Sequence, residues 1–281
     1  MQWRPSPSLS GIVKHYLVVQ AERAPSLNYR LFSDGNPGIV FHFGDPLRLQ
    51  PRSFLYGQIT RYNDWLSDGK LGMLVVVLQP TGLSSLLRIS AHELNDSLIR
   101  LAELFGQEAV DLEEQVISAC QPGPVVEDPY GSTFHPAHPA IGFVERFLLK
   151  RVGHCPKPAS FIPEALQLIA DSRGLVRMDE LLRKIPVTER QLERKFKTAI
   201  GMSPKKMADI IKFQCFLKLL QQHPAGENLT GVIYEGGYYD QAHLNNYFKK
   251  IVGLTPRQYK TNPHLLAVNF MQLPPIPPNL S

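Results

Sequence analysis

Short apolar runs separated by turn-forming residues dominate the first 80 positions, notably at 15–19, 38–43 and 71–78, with Gly, Pro, Asn and Asp between them. Runs of this length and punctuation predict the strands of a β-rich domain. Beyond Pro80 the apolar positions move to helical spacing. Residues 82–87 and 91–105 read as helices that close the domain, with Leu94, Leu98, Leu101 and Leu104 or Phe105 on one stripe of the second. Pro122, Pro124, Pro129, Pro136 and Pro139, with Gly123 and Gly131, then preclude regular structure and predict a linker. Two apolar-striped segments follow, 140–150 and 162–171, which join the domains or begin the second. The tail after Asn262 ends in the proline-rich run 273–278 and reads as an extended appendage. The expected organisation is a β-rich domain with closing helices over 1–120, a linker and connecting helix over 121–160, an all-helical domain over 161–262 and a tail over 263–281.

The second half of the chain matches itself at an offset of 52 residues. Leu192, Phe196, Lys197, Gly201 and Pro204 recur as Leu244, Phe248, Lys249, Gly253 and Pro256, while Ile200 faces Val252 and Ser203 faces Thr255. Each copy has one physical plan. A helix carries a core stripe (Leu192, Phe196, Ala199; Leu244, Phe248, Ile251), and a glycine just past its end suits a left-handed cap. Ser203-Pro204 or Thr255-Pro256 then supplies an N-cap and a first-turn proline for the next helix. Upstream of each long helix lies a shorter one, with stripes Met178, Leu181, Leu182, Ile185 and Leu229, Val232, Ile233, Tyr234. Tight turns at Pro186-Val187 and Gly236-Gly237-Tyr238 separate the members of each pair, which predicts two helix-turn-helix units.

Rotation by about 100° per residue sets Arg190, Arg194 and Lys197 opposite the first core stripe, and Ala242, Asn246 and Lys249 opposite the second. These groups suit a DNA groove: arginine forks onto guanine O6 and N7, asparagine pairs with adenine, and alanine meets a thymine methyl. Thr188 and Asp240 are placed as N-caps, and helix N-termini often sit on phosphates. Gln241 and His243 lie beside the second face. Glu193 can accept from cytosine N4 or pair with Lys197 at i+4.

Charge divides along the chain in the same way. The net charge is +5, yet residues 173–260 hold 16 Lys/Arg against 8 Asp/Glu, leaving 14 against 17 elsewhere. A basic segment joined to a mildly acidic one suggests that only the former meets a polyanion. Hydrophobic content of 43% is ordinary for a globular protein. No apolar run approaches the roughly 18 residues of a membrane span and no export signal precedes residue 20, so a cytoplasmic location is expected. Cys120, Cys155 and Cys215 have neither disulfide nor zinc-site spacing.

Leu192, Arg194, Phe196 and Lys197, residues 233–238, residues 240–243, Phe248-Lys249, and Gly253 with Thr255, Pro256 and Tyr259 resemble the AraC/XylS family of bacterial regulators, over roughly residues 162–260. The resemblance implies an α+β, two-domain chain whose all-α, homeodomain-like reader has two helix-turn-helix subdomains joined by one long helix. That helix would run from Pro204 to Gln221, with Met207, Ile210, Ile211, Phe213, Leu217 and Leu220 packing into both halves. It implies a sequence-specific transcription factor with Thr188, Arg190, Glu193, Arg194, Lys197, Gln241, Ala242, His243, Asn246 and Lys249 at the DNA. Family members usually carry arginine at the position of Asn246, serine at Ala242 and an aromatic at Leu244, which implies weaker reading by the second helix. The motifs 33–37, Ile39 to Phe41, Gly57-Gln58 and 104–106 resemble the sensory or dimerisation domains that precede this module in one subgroup. Double-stranded DNA is the expected partner. A small-molecule effector, a homodimer and a contact with RNA polymerase are compatible with the resemblance, and no cofactor, metal or membrane is expected.

An enzyme built on a cupin-like, metal-holding barrel is the rival class. His15, His42, His92, His135, His138 and His154 form no His-x-His set with a carboxylate, and His42, within an apolar strand, reads as a core or pocket histidine. Phosphate loops, nucleophile elbows and the His-Glu-x-x-His pattern are absent from the sequence. An architectural DNA-binding protein without a sensor is the third class. The repeat is also expected to give a fragment from about residue 155 a core of its own.

Overall fold

The computed structural model describes residues 2–21, 27–45, 50–67, 69–120, 139–152, 159–223, 229–261 and 265–268. His135, His138, His154, Cys155, most of the proline-rich linker and the run 273–278 lie outside them.

Nine strands are described: β1 (Gln2–Trp3), β2 (Val13–Ala21), β3 (Leu27–Leu31), β4 (Gly38–His42), β5 (Ser53–Tyr56), β6 (Asn63–Ser67), β7 (Leu71–Leu78), β8 (Leu98–Arg100) and β9 (Leu265–Val268). Six form an antiparallel sheet in the order β1-β2-β7-β4-β5-β8, and three form a second in the order β6-β3-β9. The central strand β7 is buried on both faces because its side chains alternate between two cores. Leu74, Val76 and Leu78 join the helix-covered core, while Leu71, Met73, Val75 and Val77 join the core of the opposite face.

Eleven helices are described: α1 (Gly82–Leu86), α2 (Leu101–Phe105), α3 (Gln107–Cys120), α4 (Pro139–Leu149), α5 (Phe161–Asp171), α6 (Met178–Lys184), α7 (Glu189–Ile200), α8 (Pro204–Gln222), α9 (Thr230–Glu235), α10 (Gln241–Val252) and α11 (Pro256–Thr261). The first four cover one face of the large sheet. From α5 onward the chain is helical in two bundles, with cores split along α8. Met207, Ala208 and Ile210 pack with α5 to α7, and Phe213, Phe216, Leu217 and Leu220 pack with α9 and α10. The long joining helix thus serves both halves, as its stripe predicts.

Three expectations are corrected. Residues 91–105 do not form one helix: Ala91–Leu94 is a 3-10 turn, Asp96 takes φ +55°, and Leu98–Arg100 pairs with β5 before α2 begins. Leu94 and Leu101 are both buried, so their spacing records a shared core rather than a helix face, and the free edge of β5 captured the segment between them. The helix expected as a connector, α4, belongs to the first domain. Its Ala140, Ile141, Val144, Phe147 and Leu148 share a core with Val116 and Cys120, and Glu145 accepts from the Tyr16 hydroxyl at 3.2 Å. Finally, the tail returns to the first domain, since β9 lies parallel to β3 with Asn28 opposite Leu265. An open strand edge offers unpaired N–H and C=O groups, and the tail meets them.

Candidate nucleic-acid interface

The two long helices of the repeat, α7 and α10, are each twelve residues long and start 52 residues apart. Their caps follow from the residues present. Thr188 accepts from the Gln191 N–H at 3.2 Å, and Asp240 accepts from the Ala242 N–H at 2.8 Å. Gly201 and Gly253 close the helices at φ +99° and +76°, in the left-handed region that glycine enters without a Cβ penalty. The helices that follow begin on Ser203, which accepts from the Lys206 N–H, and on Thr255, which exchanges hydrogen bonds with Gln258.

The buried faces are Leu192, Phe196, Ala199 and Ile200 on α7, and Leu244, Phe248, Ile251 and Val252 on α10. All ten residues singled out for DNA are exposed: Thr188, Arg190, Glu193, Arg194, Lys197, Gln241, Ala242, His243, Asn246 and Lys249. No ion pair joins Glu193 to Lys197, among the described residues. Tyr234 is 58% exposed and is no part of the core stripe of α9. The Gly236-Gly237 turn fits closely against α8, and the Lys212 ammonium stands 4.2 Å from the Tyr238 ring centre.

Sequence reasoning passed over two exposed groups beside the readers. Tyr239 is 89% exposed one residue before the Asp240 cap, and Lys195 is exposed on α7. Tyr238, the neighbour of Tyr239 and read from the sequence as part of the turn, is buried.

Residues 181–262 match the family described as Helix-turn-helix domain. The C-terminal module is an AraC-type helix-turn-helix domain, and the protein is a DNA-binding transcriptional regulator. The β-rich part preceding this AraC-type module matches, over residues 1–100, a Domain of unknown function (DUF6597). No curated protein matches the chain. Among solved structures, ToxT from Vibrio cholerae has a TM-score of 0.48 at 10% identity, covering 87% of this chain and 97% of that one. A ToxT structure bound to (E)-4-(8-methylnaphthalen-1-yl)but-3-enoic acid gives 0.47 at 9% identity with the same coverage.

Outside the AraC-type module, no group of three His, Cys, Asp or Glu side chains is arranged to hold a metal ion, among the described residues. His42 is buried in β4 with its Nε2 lacking a hydrogen-bond partner, so it is a core residue. None of the described helices is long and apolar enough to cross a membrane.

Proposed function

We propose that the regulator reads two successive major-groove segments of double-stranded DNA with α7 and α10, about one helical turn or roughly 34 Å apart. The observation that carries this reading is the repeat itself: two helices of equal length, each capped at its start by a side-chain oxygen and closed by a left-handed glycine, each with its polar face exposed. Arg190 and Arg194 fork onto bases, Glu193 accepts from cytosine, and Asn246 pairs with adenine while Ala242 meets a thymine methyl. Thr188, Lys197, Gln241, His243 and Lys249 complete the contacts, chiefly at phosphates. The role is one of binding rather than catalysis, and it is exercised in the cytoplasm.

The N-terminal domain, in this reading, receives a small-molecule effector and alters DNA affinity. Homodimer formation and a contact with RNA polymerase are further parts of the proposal, compatible with a regulator of this type. Titration of labelled duplexes across salt tests the DNA role. Affinity should fall with log salt and remain higher for a selected duplex than for random DNA. Equal affinity for all sequences would leave only an architectural protein.

A further inference from the structure

The N-terminal domain grips the two readers at separate places, and the contacts of one of its strands, among the described residues, go to the second. The grip on α7 comes from the segment before β8: Asn95 Nδ2 donates to the Gly201 carbonyl at 2.7 Å, and Ser90 Oγ donates to the Thr198 carbonyl. The grip on α10 comes from β3. Arg30 Nη1 donates to the carbonyl of Val252, the last residue of α10, at 3.1 Å. Its guanidinium is fixed by a forked pair to Asp64 on β6, at 2.6 and 2.7 Å, and lies 4.2 Å from the Tyr62 ring centre. A cation at a helix C-terminus is favoured by the partial negative charge of the free carbonyls. The approach is close enough that a Cβ on Gly253 would stand 2.5 Å from Arg30 Nη1.

Phe32, immediately after β3, is buried in the core of the second subdomain, not in its own. Its ring meets Phe213 edge to face at 6.5 Å, and Phe213 meets Phe248 of α10 at 5.2 Å. Next along the chain, the Ser33 carbonyl accepts from Gln214 Nε2 at 2.7 Å, with both residues buried. Only after this does the loop reach the first subdomain, where Gly35 lies against Met207.

We propose that β3 is the element through which the N-terminal domain positions the second recognition helix, with Arg30 and Phe32 as positioning residues that act from behind the DNA-facing surface. The inference rests on the two-reader reading above. Because β3 also pairs with β6 and with the returning strand β9, a change in the sheet β6-β3-β9 bears on α10 through Arg30 and Phe32.

The test uses full-length Arg30→Ala and Phe32→Ala, with Arg30→Lys and Phe32→Leu as milder replacements. Amide hydrogen exchange without DNA reads each subdomain, and footprints on the selected operator read each half-site, assigned with Arg194→Ala and Asn246→Ala. Loss of a hydrogen bond from a charged donor should speed exchange in α9 and α10 about tenfold or more and leave α6 and α7 unchanged. Protection should weaken at the half-site of α10 only, and the milder replacements should restore most of it. Equal acceleration in both subdomains, or none in either, overturns the proposal. If the unaltered protein protects no DNA, the two-reader reading fails while the exchange pattern still decides whether β3 holds α10.

Discussion

The side-chain amide of Asn95 donates to the carbonyl oxygen of Gly201 at 2.7 Å, which ties the N-terminal domain to the C-terminal end of α7. Gly201 sits at φ +99°, and a Cβ there would come within 2.6 Å of Asn95 Oδ1. Gly201→Ala is therefore expected to destabilise the protein by about 1–3 kcal/mol, through a strained backbone and a displaced amide. Thermal denaturation of the two proteins checks this. An unchanged midpoint would mean that the helix end and Asn95 separate freely.

Arg194→Ala should cost about 1–3 kcal/mol of specific binding and relax the preference at one or two bases, because a forked contact to a base is lost. Binding to a panel of single-base operator variants measures it. Uniform weakening on every sequence would make Arg194 a phosphate clamp instead.

The readers were legible because their signals are local. Cap residues, a core stripe and a closing glycine all lie within about sixteen residues, and the 52-residue repeat states them twice. The attachments between domains were not legible, since Arg30 and Val252 meet across 222 positions and Gln214 and Ser33 across 181. Nothing in the pattern around Phe32 says that its ring serves another domain. The motif 33–37 was visible as a motif, but its work became clear only from contacts. Asp34 accepts from the Asn36 N–H at 2.9 Å, and Gly35 takes φ +80° against Met207. The stripe through Leu94 and Leu101 misled for the opposite reason, because an edge strand inserted between two buried residues leaves their spacing helical.

Burial holds the His42 imidazole down at about 4 from its ordinary 6.5, with Arg52 adding to the effect and Asp45 opposing it. A lowered folded-state value means that the unfolded chain takes a proton the native state refuses. This contribution to stability is complete above 6.5 and is lost as pH falls toward 4. Burial raises Asp34, opposed chiefly by Lys14, so that group acts in the reverse sense and the informative measurement is a comparison. His42→Leu should lose less stability than the unaltered protein between pH 6.5 and 4. Parallel denaturation profiles would show that the native state accommodates the charged ring.

A fragment beginning near residue 155 should fold over α5 to α7, whose core is drawn from the helices themselves. Its second subdomain lacks Phe32 and the Arg30 contact, and α10 should therefore exchange faster than in the full chain. Exchange measured on both proteins decides the matter, and equal protection of α10 would show that the local core suffices.

The central claim is that two unequal readers address one bipartite site. The first presents Arg190, Arg194 and Lys197, and the second Ala242, Asn246 and Lys249, so paired base contacts and counterion release both favour the first. Selection of bound duplexes from a random pool tests this most directly, using the full protein, an Arg190→Ala/Arg194→Ala variant and a Gln241→Ala/Asn246→Ala variant. The account predicts two elements about 10 to 10.5 base pairs apart, one sharply defined and one degenerate, with the sharp element lost only in the arginine variant. A single contiguous element, or equal loss from the two variants, would contradict it.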